Sequence, residues 1–233
     1  MTDSKTAEMT KLTENSFRDV NIAFANELSI ICDKLGINVW ELIRLANHHP
    51  RVKILNPGPG VGGHCIAVDP WFIVDSAPEE ANLIRTAREV NDSKPEWVLA
   101  KVRKAVEEVK ATMPDGRKPV VACLGLAFKA DIDDLRESPA LEIAKWEDCE
   151  VAVVEPNIDR LPEAFNGGAY VGLLSVEDGV AKADVVVGLV NHKEFGELPI
   201  TAIAGRRVVD GRGIWEDVAK AGQQPNSREL VFR

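Results

Sequence analysis

Apolar side chains recur at Met9, Leu12, Val20, Ala23, Phe24, Leu28, Ile31 and Leu35 in a stretch, about Thr6 to Leu35, that holds neither proline nor glycine. This spacing predicts one long amphipathic helix, ended by Gly36. At 1.5 Å per residue it is about 45 Å long. One small domain needs less, so the helix calls for a helical partner. Asn38 is placed to cap a second helix, Val39 to about Asn47. Residues 50–70, PRVKILNPGPGVGGHCIAVDP, hold four prolines and four glycines and read as a loop. Asp69 is then the expected cap of a short helix with Pro70 at its first position. A further helical stretch runs from about Glu79 to Thr112. A break is expected near Asp92–Pro95, because the residue before a proline is disfavoured in the α region.

After Asp115-Gly116 the pattern changes. Short apolar runs, Pro119–Leu126, Val151–Glu155, Tyr170–Leu174, Asp184–Val190 and Arg207–Asp210, alternate with helical segments at Pro139–Glu147 and Val176–Ala183 and a weak turn near Lys193–Gly196. Strands that alternate with helices imply parallel βαβ units, since parallel neighbours need a crossover. The expected fold is α/β: an all-helical domain over residues 1–113, a small Rossmann-like parallel-sheet domain over 114–216, and a polar tail, 217–233.

Composition narrows the function. A net charge of −9 over 233 residues excludes broad nucleic-acid binding, which needs a basic face, but leaves room for a nucleotide ligand. No apolar run approaches the roughly 20 residues of a membrane span, and the N-terminus lacks the apolar core of a signal peptide. The chain reads as cytoplasmic. Four cysteines without a C-x-x-C pair do not make a disulfide scaffold. No metal site is expected: the neighbours His64 and Cys65 are poorly placed to share one tetrahedral ion, and Asp131, Asp133 and Asp134 suggest a metal cluster but are read in preference as turn caps and as partners for Arg136.

Gly58, Gly60 and Gly63 form a formal G-x-G-x-x-G. A dinucleotide fingerprint must follow a strand and open a helix, whereas this one follows a helical region and is interrupted by Pro59. On sequence alone the chain has no complete dinucleotide site. Cys65, at the end of that loop and just before a helix start, stands where an anion is favoured. The other reading is a tight surface crossover with an incidental cysteine. Lys11 and Asn15, four apart, share one helix face, continued by Arg18 and Asp19; the face lines a cleft or is simply solvated. His48, His49 and Arg51 cluster before the loop, where a helix C-terminus equally suits them. Lys129 follows the first predicted strand of the sheet domain, at the end where α/β sheets gather ligands. With Arg136 and the helix start at Ser138-Pro139 it can hold a diphosphate.

Four segments in order, AEMTKLTENSFRDVNIAFANEL, HPRVKILNPGPGVGGHCIAVDPW, IRTAREVN and GLAFKADIDDLRESPA, resemble the UDP-glucose/GDP-mannose dehydrogenase family, and within it the acetamido-sugar branch, over about Thr6 to Trp215. The resemblance implies a central helical domain that dimerises through its long helix, followed by a Rossmann-like UDP-binding domain. The family's N-terminal NAD domain is the part this sequence lacks. It further implies oxidation of the C6 hydroxyl of a UDP-N-acetylhexosamine, N-acetylmannosamine first, to the uronate with NAD as acceptor. Cys65 is then the nucleophile of a thiohemiacetal and thioester, and Lys11, Asn15 and Asp69 are its catalytic partners. Arg51, His49, Arg18, Gly62, Phe128 and Lys129 grip the substrate, Arg51 by reaching into a partner subunit, and Arg136 lies near NAD. The expected partners are a UDP-sugar, a second copy in a homodimer, and an NAD-binding domain or chain; alone, this chain is expected to be inactive. A non-catalytic dimeric UDP-sugar-binding module is the competing class, although such a binder has no use for the thiol.

Overall fold

The stretch free of proline and glycine winds into a single 32-residue helix, α1, Ser4–Leu35. Asp3 caps its start by accepting the Thr6 N–H at 3.0 Å, and Gly36 closes it in the left-handed conformation. The computed structural model describes residues 3–113, 116–146, 149–166 and 169–216; the expected tail lies outside the described residues. Helix α2, Val39–Ala46, is capped by Asn38, whose side chain accepts the Glu41 N–H. Helices α3, Asp69–Ser76, and α4, Asn82–Lys110, complete the helical part and pack on α1.

Helix α1 distributes its side chains unusually. Its buried positions are mostly polar or small (Asn15, Ser16, Asp19, Ala23, Ala25, Asn26, Ser29 and Cys32), while Met9, Phe17, Phe24, Ile31 and Leu35 are exposed. Phe17, Phe24 and Ile31 repeat every seven residues, the spacing that keeps one face toward a partner helix.

Five parallel strands follow: β1, Val120–Leu124; β2, Glu150–Val154; β3, Tyr170–Leu173; β4, Val185–Gly188; and β5, Arg207–Asp210, in the order β3-β2-β1-β4-β5. Both faces of the sheet are covered, which is why its central strands read as unbroken apolar runs. One face packs on Val98, Val102, Ala105 and Val106 of α4 and on α5, Pro139–Ala144. The other packs on α6, Val176–Lys182, on Phe195 of α7, Lys193–Gly196, on α8, Ile200–Ile203, and on Trp215. The chain is therefore an α/β protein, a helical part followed by a Rossmann-like sheet part. The order reverses at β1, where neighbouring crossovers leave in opposite directions and open a crevice at the strand ends.

Two expectations fail locally. Helix α4 is continuous through Pro95. An interior proline costs about 3 kcal/mol, but tertiary contacts hold the helix around it: Asn91 donates to Asp19, and the buried Lys94 amine donates to Ser29 Oγ at 2.6 Å. As a result, α4 packs on α1 with its first half and on the sheet with its second, joining the two parts. Asp69 is not a cap. Val68 holds that position without a side-chain bond, and Asp69 is the first residue of α3, with Pro70 second. The Cys65 carbonyl already takes the Asp69 N–H at 2.8 Å, so the chain is wound before Asp69 and its carboxylate is free for another partner. Strand ends shift by one or two residues, and α5 stops at Ala144; Glu147 lies outside the described residues.

Candidate active site

The Pro57–Pro70 loop is the seam of the molecule. Its entry is fixed by buried side chains: Asn26 Oδ1 accepts the Gly58 N–H at 2.8 Å, Asn26 Nδ2 donates to Asn91, and Asn91 donates to Asp19. Asp19, read as part of an open polar face, is buried and bonded to Arg88 Nη1 at 2.6 Å. Burial raises its pKa despite that arginine.

Farther along, the loop crosses the sheet part. A side chain on Gly62 would meet the Glu137 carbonyl at 2.5 Å and Phe128 Cβ at 2.7 Å, and one on Gly63, at φ 78°, would meet the Phe128 ring at 3.0 Å. The Gly63 N–H donates to the Arg136 carbonyl at 3.2 Å. Close backbone packing explains these two glycines, and the formal fingerprint is not a phosphate cradle.

Cys65 follows in a turn. It is exposed, while Cys32, Cys123 and Cys149 are buried, and burial pushes the Cys32 and Cys123 thiols up. Its carbonyl accepts from Val68 and Asp69, so the turn leads straight into α3. Asn15, buried on α1, donates to Asp69 Oδ2 at 2.5 Å. Asn15, Asp69 and the Cys65 turn are thus assembled by one contact.

The remaining expected residues fall at different distances from that assembly. Lys11, one turn before Asn15, is exposed, 3.5 Å from Glu14. Arg18 is exposed on the same helix, and His49 and Arg51 are exposed after α2, where His49 Nδ1 accepts the Arg51 N–H. Phe128 is half-buried against the loop, and Lys129 beside it is exposed. Arg136 is exposed and paired with Asp134, Nη2 to Oδ2 at 2.6 Å. That bond holds the Asp134 carboxyl at about 2 and raises Arg136.

Sequence reasoning missed Arg212. The buried Asp210 carboxylate accepts the N–H groups of Arg212, Ile214 and Trp215, each at 3.1 Å, and this turn at the end of β5 aims Arg212 at the loop. Its guanidinium lies against Gly58. Arg212 Nε is buried with no hydrogen-bond partner among the described residues, and burial lowers the group's pKa. The available signal was the D-G-R step directly after a strand, at the end where ligands gather. A buried guanidinium N–H without a partner is costly unless an acceptor joins it.

No group of three or more His, Cys, Asp or Glu among the described residues is arranged to hold a metal, and no described helix is long and apolar enough to cross a membrane. The described residues do not form a dinucleotide cradle either. The glycine loop lies between helices, and Gly125 after β1 is closed off by Val190, 2.4 Å from where a side chain would begin.

Two family descriptions match the chain: "UDP-glucose/GDP-mannose dehydrogenase family, central domain" over residues 5–93 and "UDP-glucose/GDP-mannose dehydrogenase family, UDP binding domain" over residues 122–217. Among curated relatives, an NDP-N-acetyl-D-galactosaminuronic acid dehydrogenase of Ralstonia nicotianae is 60% identical over 92% of this chain and 49% of its own length. A UDP-N-acetyl-D-mannosamine dehydrogenase of Salmonella typhi is 60% identical over 92% of this chain and 52% of its own. The solved structure of a UDP-D-ManNAc dehydrogenase from Pyrococcus horikoshii aligns with a TM-score of 0.78 at 37% identity, covering 98% of this chain and 52% of that one. The chain therefore spans about half the length of the relatives it matches. With both matched regions meeting at the Cys65 loop, the chain belongs to the UDP-glucose/GDP-mannose dehydrogenase family.

Proposed function

We propose that this chain is the central and UDP-binding portion, residues 1–113 and 114–216, of a UDP-N-acetylhexosamine 6-dehydrogenase, with UDP-N-acetyl-D-mannosamine as the first substrate to test. The observation that carries this reading is the placement of the one exposed thiol among the described residues. Cys65 sits at the seam of the two parts, with Asn15 and Asp69 joined beside it. The names of the relatives support the same reaction class.

NAD, bound mainly by a domain outside these residues with Arg136 at its edge, supplies the acceptor for the two hydrides. On this chain, the Cys65 thiolate adds to the aldehyde carbon at C6. The new C–S bond carries the carbon through to the thioester level. Water then breaks that bond, returning the thiolate and releasing the carboxylate. Lys11 takes the alcohol proton and stabilises the oxyanion. Its exposure and its weak pairing with Glu14 leave it free to turn toward substrate. Asn15 holds the reacting oxygen or water, with its amide oriented by Asp69. Arg212, Lys129 and Phe128 hold the UDP moiety at the strand ends. His49, Arg18 and Gly62 line the sugar side, and Arg51 reaches the neighbouring copy's site. The exposed Phe17, Phe24 and Ile31 face forms the homodimer.

The test is product analysis by mass spectrometry, with enzyme that contains this chain, NAD and UDP-N-acetylmannosamine. The uronate is expected from wild type and none from Cys65→Ser. Uronate formed at the normal rate by the variant overturns the assignment. Calorimetry with the galacto, gluco and manno epimers decides the sugar.

A further inference from the structure

The loop that carries Phe128 and Lys129, residues 125–131, is held by two buried groups that follow other strands. Glu155, at the end of β2, is 2% exposed, and His192, after β4, is 1% exposed. Glu155 Oε2 accepts the Leu126 N–H at 2.8 Å, the Ala127 N–H at 3.1 Å and His192 Nε2 at 3.0 Å, while its Oε1 accepts the Asn157 N–H at 3.1 Å. His192 Nδ1 accepts the Asp131 N–H at 2.8 Å and faces the Asn157 amide at 3.2 Å. With donors at Nδ1, the ring proton sits on Nε2 and points at Glu155. The Phe195 ring packs edge-on against the imidazole at 5.3 Å. Asp131 takes a left-handed backbone, φ 59°, and its carboxylate accepts the Lys193 N–H at 3.2 Å. The carboxylate thus grips the loop's start and the imidazole its end, leaving Phe128 and Lys129 between two fixed points. Neither group touches Cys65.

We propose that Glu155 and His192 form one positioning unit that sets Phe128 and Lys129 for the UDP moiety and, through Phe128 against Gly62 and Gly63, fixes the seat of the Cys65 loop. This rests on the UDP-binding role given above to Phe128 and Lys129. A loop ordered before the ligand arrives removes an ordering cost from binding, so loss of the unit reduces affinity without removing any ligand contact. Asparagine at 192 places a side-chain oxygen near the position of Nδ1 and retains the Asp131 bond. Glutamine reaches Glu155 instead and gives up that bond.

The experiment is calorimetry of the 233-residue chain with UDP, alongside amide hydrogen exchange of Leu126, Ala127 and Asp131 and thermal unfolding. His192→Ala is expected to weaken UDP at least tenfold and to speed Asp131 exchange at least tenfold, with strand amides unchanged; His192→Asn restores both to within about threefold of wild type. If wild type binds UDP and His192→Ala binds it equally well, the positioning role is refuted while the UDP site stands. If wild type binds no UDP, the site reading falls, and the exchange data alone judge the unit: unchanged Asp131 exchange refutes it. Should His192→Ala not fold, the Asn variant must bind UDP more tightly than His192→Gln, and the reverse order overturns the proposal.

Discussion

Asn15 and Asp69 are bonded at 2.5 Å across 54 positions, the middle of α1 donating to the first residue of α3. Because the Cys65 carbonyl takes the Asp69 N–H, this bond also sets how far the Cys65 turn stands from α1. Asn15→Asp would put two carboxylates in the same space. The expected loss is about 1–3 kcal/mol at neutral pH. The folded pair then holds a shared proton more tightly than the unfolded chain does. The loss is therefore smallest at low pH and grows as pH rises through the raised pKa. Urea midpoints at pH 5 and pH 8 measure it; equal losses at both would contradict the geometry.

Gly62→Ala tests the docking of the loop. The added carbon meets a backbone carbonyl at 2.5 Å and Phe128 Cβ at 2.7 Å, and a backbone atom does not swing away as a side-chain tip does. About 1–3 kcal/mol of destabilisation is expected, read from urea unfolding. An unchanged midpoint would mean that the loop does not lie on Phe128 and Glu137.

Two buried groups give pH slopes of the same sign in separate windows, because each has a folded pKa below its unfolded one. Burial opposes the charge of Glu155, but the His192 bond and the Leu126 and Asn157 N–H groups win and hold its carboxyl at about 2, below the ordinary 4.5. Its contribution is complete above about pH 4.5 and is lost as pH falls toward 2; Glu155→Gln should flatten that acid limb. Burial, assisted by Lys101 against Asp33, pulls Lys94 down from 10.5 to about 7. Between those values the unfolded chain binds more protons, so stability rises with pH. Lys94→Met should remove the rise, seen in thermal melts from pH 7 to 10.

Arg212→Met exchanges a half-buried guanidinium, its Nε buried without a partner among the described residues, for an apolar side chain of similar length. The fold is expected to persist, since replacing poorly compensated buried charge is often neutral or stabilising. UDP affinity should fall tenfold or more in calorimetry. Retained affinity would remove Arg212 from the ligand site.

Phe24→Glu combined with Ile31→Glu places charge on the exposed seven-residue stripe of α1. Sedimentation is expected to show a dimer for wild type and a monomer for the variant, with helicity unchanged. A variant that stays dimeric would move the interface elsewhere.

Much of the fold was legible because it is local. Helix α1 and its Gly36 stop, the Asn38 cap and the five strands follow from periodicity and capping chemistry that neighbours in sequence supply. The break expected before Pro95 and the cap expected at Asp69 both failed, for different reasons. At Pro95 a contact dozens of residues away, Ser29 to Lys94, holds the helix; at Asp69 the turn begins earlier, at the Cys65 carbonyl, and the carboxylate is taken up by the distant Asn15.

The site divides along the same line. By itself the sequence determined the types of group available: a thiol ahead of a helix start, a lysine and an asparagine one turn apart, cations after the first strand, and no strand-borne dinucleotide fingerprint. Only the tertiary structure decided which of them act together. It buried Asn15 and Asp19 while leaving Lys11 and Arg18 in solvent, and it turned the loop's glycines from a formal phosphate motif into a packing surface for Phe128. It also brought Arg212, which no motif reading had selected, against Gly58. The reason is physical. A residue's chemistry is intrinsic, but its solvation and its partners are set by chain segments that meet only when α4 and the sheet close on the loop.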